Sequence, residues 1–318
     1  MVRSGQQPGI VDIAYDNPDR PHTGIEVLTF DVLRARLMGS VARRPSRLDF
    51  HQLVLVRRGE GRAMVDFTAH PCTRGTLLHL RPGQVQRLPV GSDDRPADLD
   101  ATLLLFTADF PPPLPAIREV LDGFGPVARQ LPPAEFDVLN RAVTDLHAEY
   151  RRLRDGRQPA PHPELTEALL RQLLGALLIR LARLPDPAAA TPGPAEGRGP
   201  GPDGGSGTAA PPGAEVHLAF RRELERSFAT TRSVEDYAAR LGYSPRTVTR
   251  ACLAATGRSA KQLADARVAL EAQRLLAHTD LPVAAIGRAL GFTEATNFGK
   301  FFARETGRTP GDFRRSQQ

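Results

Sequence analysis

The apolar positions of this chain change period along its length, and each change marks a different part of the protein. Between residues 24 and 110 they fall in short runs: Phe50–Val56, Ala63–Phe67, Thr76–Leu80, Val85–Val90 and Ala101–Thr107. Turn-forming stretches separate them, at Arg57-Arg58-Gly59-Glu60-Gly61, His70-Pro71-Cys72-Thr73-Arg74-Gly75 and Arg81-Pro82-Gly83. Several short strands at this spacing predict an antiparallel barrel or sandwich. From residue 115 the period lengthens to three or four. Phe136, Leu139, Val143, Leu146, Tyr150 and Leu153 form one stripe; Leu165, Leu169, Leu173, Leu177, Leu181 and Leu184 form a second. These predict helices that pack on the barrel and on each other. One stripe is also a candidate subunit interface.

Residues 185–214 interrupt the pattern, because 8 of these 30 residues are Pro and 8 are Gly. Such a stretch buries too little surface to offset its ordering entropy, which predicts a flexible linker. Beyond it the helical period resumes and the sequence repeats itself. Leu241-Gly242-Tyr243-Ser244 matches Leu290-Gly291-Phe292-Thr293 at an offset of 49, and Thr256-Gly257-Arg258-Ser259 matches Thr306-Gly307-Arg308-Thr309 at an offset of 50. The second copy therefore carries one inserted residue between Thr293 and Phe298, inside its second helix or in the turn that leads into it.

Each copy reads as a helix, a glycine turn, a hydroxyl cap and a second helix, the order of a helix-turn-helix. In the first, Ser233 and Asp236 suggest a capping box with Asp in place of Glu. Tyr237, Ala238 and Leu241 face inward, Ser244 caps, and Pro245 opens a helix whose inward positions are Val248, Cys252 and Ala255. In the second, Val283, Ile286, Leu290 and Phe292 form the core, Thr293 is the expected cap, and Phe298, Phe301 and Phe302 point inward. Arg246, Thr247, Thr249 and Arg250 are left outward in the first copy, as are Glu294, Thr296, Asn297 and Lys300 in the second.

Charge sharpens this picture. The chain holds 42 Lys+Arg against 36 Asp+Glu, and residues 215–318 hold 17 against 11, so the repeat segment carries the whole surplus of +6. A surplus of that size is compatible with a phosphate-binding face. Two cysteines, Cys72 and Cys252, suit neither a disulfide framework nor a zinc site. The first twenty residues lack a signal-peptide core, and arginines break the apolar stretch 165–184. A cytoplasmic protein with no membrane association is expected.

Residues 216–315 resemble the DNA-binding domain of AraC/XylS-type transcription regulators. The resemblance rests on Ile286-Gly287, Gly291-Phe292, the run Asn297-Phe298-Gly299-Lys300-Phe301-Phe302, Gly307-Arg308-Thr309-Pro310 and Phe313-Arg314, with Arg267 in the connecting helix. Gly287 replaces the usual small Ala, and Ala303 replaces a common basic residue, removing one phosphate contact. Arg47-Leu48-Asp49-Phe50-His51-Gln52-Leu53 and Gly75 with Arg81-Pro82-Gly83-Gln84-Val85 are similar to the family's cupin-like effector and dimerisation domain.

The resemblance implies a multidomain α+β protein. Its parts would be a cupin-like antiparallel β-barrel at 1–114, a helical dimerisation segment at 115–184, the linker at 185–214, and an all-α domain at 215–318. The last would carry two helix-turn-helix motifs, at 233–255 and 282–305. It further implies a homodimer that regulates transcription, by activation, with double-stranded DNA and RNA polymerase as partners. Each monomer would then read two adjacent major-groove segments about 34 Å apart.

On this reading Arg246, Thr247, Thr249 and Arg250 meet bases and phosphates in one segment, since arginine can bond guanine O6 and N7 together. Glu294, Thr296, Asn297 and Lys300 meet the other, with the acidic Glu294 making it the weaker reader. Arg314 and Arg308 would clamp the backbone, although Arg314 is equally placed to brace the last helix. His51 is the candidate effector contact inside the barrel. No H-x-H pair occurs, and Gln86 stands where a metal-binding cupin would place a histidine, so no metal or cofactor is expected. No nucleophile motif is recognisable. A constitutive dimeric regulator without ligand, and a cupin enzyme with a DNA-binding tail, are the alternatives.

Overall fold

The structure is a computed structural model that describes residues 11–37, 44–93, 95–122, 126–155, 163–184 and 213–317. The chain divides into two compact units, Met1–Pro187 and Ala188–Gln318. Apart from Gly213 and Ala214, the expected linker lies outside the described residues.

The first unit opens with β1 (Val11–Ile13), β2 (Ile25–Thr29), α1 (Phe30–Arg36) and β3 (Ser46–Leu48). Then follow β4 (His51–Val65), β5 (Thr68–Cys72), β6 (Thr76–Leu80), β7 (Val85–Val90) and β8 (Asp98–Phe106). It closes with α2 (Pro115–Asp122), β9 (Ala128–Gln130), α3 (Pro133–Asp155) and α4 (Pro163–Ala182). All the pairings are antiparallel except that of β1 with β3.

Strand β4 is the spine of this unit. Its first half pairs with β6 and β8, and its second half pairs with β5 and β7. The predicted turn Arg57–Gly61 is therefore strand. A register shift between Val56 and Arg58 bends β4, and Gly59 adopts φ +90. A Cβ there would lie 2.1 Å from the Asp98 carbonyl oxygen, so the position takes only glycine. The turn composition reports a bend within a continuous strand. The predicted run Ala63–Phe67 is cut short, because Asp66 and Phe67 both take positive φ and close the hairpin from β4 to β5. His70-Pro71-Cys72, expected in a turn, belongs to β5.

Both faces of the first half of β4, His51 to Val56, are buried. Leu53 and Leu55 join Phe106 and the apolar faces of α2, α3 and α4 in one core. Val54 and Val56 join Leu78, Leu80, Leu103 and Leu105 in another, inside the curved sheet. The expected stripe Phe136–Leu153 on α3 is buried throughout. On α4 the stripe is shifted: Leu170, Leu174, Leu177, Leu178 and Leu181 are buried, while Leu165 and Leu169 are 61% and 45% exposed. Strand β9, paired with β6, interrupts the segment expected to be wholly helical.

The second unit is all helical: α5 (Ala214–Ser227), α6 (Val234–Leu241), α7 (Pro245–Thr256), α8 (Ala260–His278), α9 (Val283–Ala289), α10 (Ala295–Thr306) and α11 (Pro310–Gln317). Helix α8 is common to two small cores. Phe220, Leu224, Tyr237, Val248 and Cys252 pack with its first turns. Beyond it, Phe292, Phe298, Phe301, Phe302 and Phe313 form a chain of ring contacts. Among the described residues no helix is long and apolar enough to cross a membrane.

Candidate nucleic-acid interface and effector cavity

Local chemistry places α7. The Ser233 hydroxyl accepts from the Asp236 backbone N–H at 3.2 Å, which starts α6. The expected reciprocal bond from Asp236 to Ser233 is replaced: Thr231 accepts from Ser233 N–H at 3.2 Å and donates to the Asp236 carboxylate at 2.6 Å. Gly242, at φ 71, ends the helix in the left-handed region. Ser244 then accepts from the Thr247 N–H at 3.1 Å, and Pro245 opens α7.

Val248, Ala251 and Cys252 seat α7 on the core. Ala251 takes the inward place expected for Ala255, which is exposed. Arg246 and Arg250 stand exposed one turn apart on the opposite face. Thr249 is half-buried. Thr247 is half-buried too, and its hydroxyl lies 2.8 Å from the Ser244 hydroxyl, within the cap. Tyr243, 41% exposed in the turn that leads into α7, is an exposed aromatic that the repeat pattern had not singled out.

The second motif differs at its turn. Helices α7 and α10 both have 12 residues, so the inserted residue lies before α10 and not inside it. Glu294 takes the N-cap position expected for Thr293 and makes no side-chain cap bond. Its side chain is one methylene longer than that of Asp, the better cap. Gly287 explains its departure from the family pattern: a Cβ there would come within 3.1 Å of Phe298, and its absence lets α10 pack closely. Phe298 and Phe302 are fully buried, leaving Glu294, Thr296, Asn297 and Lys300 exposed.

Arg314 bonds within its own unit. Its Nε donates to the Leu276 carbonyl at 3.2 Å and its Nη2 to the Leu281 carbonyl at 2.7 Å. It braces the end of α8 and the segment entering α9, the second of the two roles its position allows. Arg267 likewise ties α8 to α5, donating to Glu225 at 2.8 Å beneath the Phe228 ring. Conversely, Arg232, Lys261 and Arg304 line one cleft with Asn297 and Lys300. Nothing in the sequence signals this, because three separate elements supply them.

In the first unit the structure corrects the placement of His51. It is buried on the helix-facing side of β4, stacked on Phe106 at 5.3 Å, with Nδ1 3.3 Å from His79 Nε2. Burial first, and then Arg81, pushes the His51 pKa down to about 3. Burial, with Arg81, His51 and Arg129, holds His79 well below its ordinary value. This neutral pair belongs to the sheet–helix core and not to the barrel interior.

The neighbouring residue faces inside. Gln52 and Gln86, 5% and 7% exposed, meet amide to amide at 3.4 Å. They lie at a cavity of about 210 Å³ whose walls include Tyr15, Leu33, Phe50 and Leu105. The same cavity touches the buried Glu26, paired with the half-buried Arg36, and Arg36 also bonds Asp19 at 3.2 Å. Burial raises the Glu26 pKa, and Arg36 opposes that rise. Each glutamine amide retains hydrogen-bonding capacity beyond its partner.

Comparisons with known proteins agree with this division. The model of the family described as a helix-turn-helix domain matches residues 237–316, and that of the AraC-like ligand binding domain matches residues 27–181. Among solved structures, the DNA-binding domain of AdpA, in complex with a target DNA, is 31% identical over 33% of this chain and 91% of that chain, with a TM-score of 0.29. An AraC-type transcriptional regulator from Chromobacterium violaceum is 21% identical over 32% of this chain and 92% of its own, at TM-score 0.30. A variant of apo ToxT from Vibrio cholerae is 10% identical over 92% of this chain and 97% of its own, at TM-score 0.36. No curated protein matches the chain.

Proposed function

We propose that this chain, which belongs to the AraC/XylS family of DNA-binding transcription regulators, reads an asymmetric duplex site through two unequal recognition helices. The observation that carries the reading is the paired arrangement of α7 and α10. Each stands on a buried core that uses α8, and each leaves a polar, cation-bearing face exposed. Arg246 and Arg250 are the main readers in the first half-site, with Thr249 beside them; Thr296, Asn297 and Lys300 read the second, beside Glu294. The Thr247 backbone and hydroxyl serve the cap first. DNase footprinting on a selected operator is expected to protect two segments about one helical turn apart per monomer. A single protected segment would overturn the two-reader arrangement.

The first unit supplies regulation. A small effector is held in the cavity at Gln52 and Gln86, with its apolar body against Phe50 and Leu105. Gln86 occupies the place where a metal-binding cupin has a histidine, which favours ligand sensing over cupin catalysis. The cavity likewise favours sensing over a constitutive, ligand-free regulator. The exposed pair Leu165 and Leu169 on α4 supports a homodimer through this helix. The dimer acts in the cytoplasm as an activator that recruits RNA polymerase. Thermal-shift screening against metabolite classes tests the sensing role, because a ligand of the folded state raises its apparent stability.

A further inference from the structure

Three elements of the second unit send cations into one open cleft: Arg232 from the turn before α6, Lys261 from the first turn of α8, and Lys300 and Arg304 from α10. Phe292 and Phe301 line it from behind. The Arg232 guanidinium lies over the Phe292 ring, 3.6 Å from its centroid, and 5.7 Å from that of Phe301. Arg304 covers Phe301 at 5.5 Å. The guanidinium of Arg232 thus caps the Phe292 face and presents N–H edges rather than an aromatic surface.

A single buried carboxylate organises two of these heads. Asp265 bonds Lys261 Nζ, and its second oxygen accepts from Arg304 at 3.1 Å. Asp265 is almost fully buried, whereas the Lys261 and Arg304 side chains remain 54% and 63% exposed. Arg304 also meets Glu305 at 2.8 Å. Four cations against two carboxylates leave the cleft positive. The Arg232 pKa is held below its usual range by burial, with Asp265 opposing and Arg304 adding repulsion.

We infer that this cleft is a phosphate clamp for the duplex backbone, in which Arg232, Lys261 and Arg304 grip the strand that passes between the two half-sites. The proposal rests on the DNA-binding reading above and adds residues to it. Two placements argue for a DNA phosphate over any other anion. Asn297 and Lys300 line the cleft and belong to the outward face of α10, so it opens beside the base-reading positions. Arg232 immediately precedes Ser233, the N-cap of α6, so the turn leading into the first motif contributes to the cleft together with α8 and α10. Arginine and lysine heads held in place by a carboxylate suit phosphate oxygens, which position a protein on DNA without carrying sequence information. The Arg232 contact with Phe292 and Phe301 also links the first motif to the second, fixing their spacing.

The test is the salt dependence of binding by the full chain. Fluorescence anisotropy is read on a labelled random-sequence duplex of about three helical turns, and on a duplex selected by the wild type. Lys261→Gln combined with Arg304→Gln should flatten the slope of log affinity against log salt by about 1 to 2. Affinity for both duplexes should fall by the same factor, leaving their ratio unchanged.

Removing both hydrogen-bonding cations leaves the buried Asp265 carboxylate without these two bonds, which can unfold the domain. The same pair in an Asp265→Asn background avoids this and should show the same flattening. A wild-type slope in a folded variant, or a loss confined to the selected duplex, would overturn the clamp while leaving DNA binding intact. A wild type that binds neither duplex would overturn both.

Discussion

Gln52 and Gln86 face each other at 3.4 Å inside the sheet, while His51, one residue earlier, points through the opposite face to His79. Adjacent side chains of one strand thus line a cavity and a packed core. Gln52→Leu alone leaves the Gln86 amide buried beside an apolar group and is expected to cost about 1–3 kcal/mol. Gln52→Leu with Gln86→Leu removes both partners and should recover most of that loss, as read from urea unfolding midpoints. Any effector that raises the wild-type melting temperature should lose its effect on the double variant. A double variant that still responds would place the ligand elsewhere.

The histidine pair makes stability depend on pH with a definite sign. Both rings are neutral when folded, whereas the unfolded chain protonates them near pH 6.5. Their contribution is complete above that pH and is lost as pH falls, down to about 3 for His51. Each histidine can add up to about 1.4 kcal/mol per pH unit within this window. Urea unfolding between about pH 7 and pH 5 should show the fall, and His51→Gln with His79→Gln should flatten it. An unchanged slope in that variant would refute the assignment.

Arg250 and Thr247 should separate in their effects. Arg250→Ala is expected to lower affinity and relax discrimination at one base pair by about 1–3 kcal/mol. Thr247→Val should leave base preference intact, because its hydroxyl already meets the Ser244 cap at 2.8 Å. Selection from a random duplex pool reads both. Equal loss of preference in the two variants would return Thr247 to the readers.

Glu294 holds the N-cap position of α10 without a cap bond. Glu294→Ser supplies that bond and removes a negative charge from the turn proposed to face DNA. A stabilisation of about 0.5–1 kcal/mol and tighter binding to random duplex are expected. Weaker binding would mean that Glu294 itself accepts a hydrogen bond from a base.

The proposed homodimer depends on the outward face of α4. Leu165→Glu with Leu169→Glu alters side chains that are already exposed, so folding should be retained. Sedimentation equilibrium should show conversion from dimer to monomer. An unchanged mass would move the interface away from this helix.

Much of the second unit was legible in the chain because its signals are local. Gly242, Ser244 and Pro245 act within one turn of the backbone, and the apolar spacing of α6 and α7 follows from helical geometry. The same locality explains the error at Thr293. Matching the repeats aligned Thr293 with Ser244, but the longer turn moved the cap to Glu294. Arg314 had two readings in sequence, and its bonds to the Leu276 and Leu281 carbonyls, which support the bracing one, depend on residues more than thirty positions away.

What the sequence determined by itself was the order of the parts: short strands, paired helices, a Pro/Gly-rich break and a duplicated helix-turn-helix with the surplus charge. Each of these depends on contacts within a few residues, or on composition. Tertiary structure decided what depends on distant partners. His51 to Val56 are all buried, so alternation along β4 carries no signal of which face is the cavity. Only the packing of α2, α3 and α4 against one side assigns His51 to the core and Gln52 to the interior. Arg232, Lys261 and Arg304 lie far apart in sequence, and the shared helix α8 and the aromatic cluster bring their charges together.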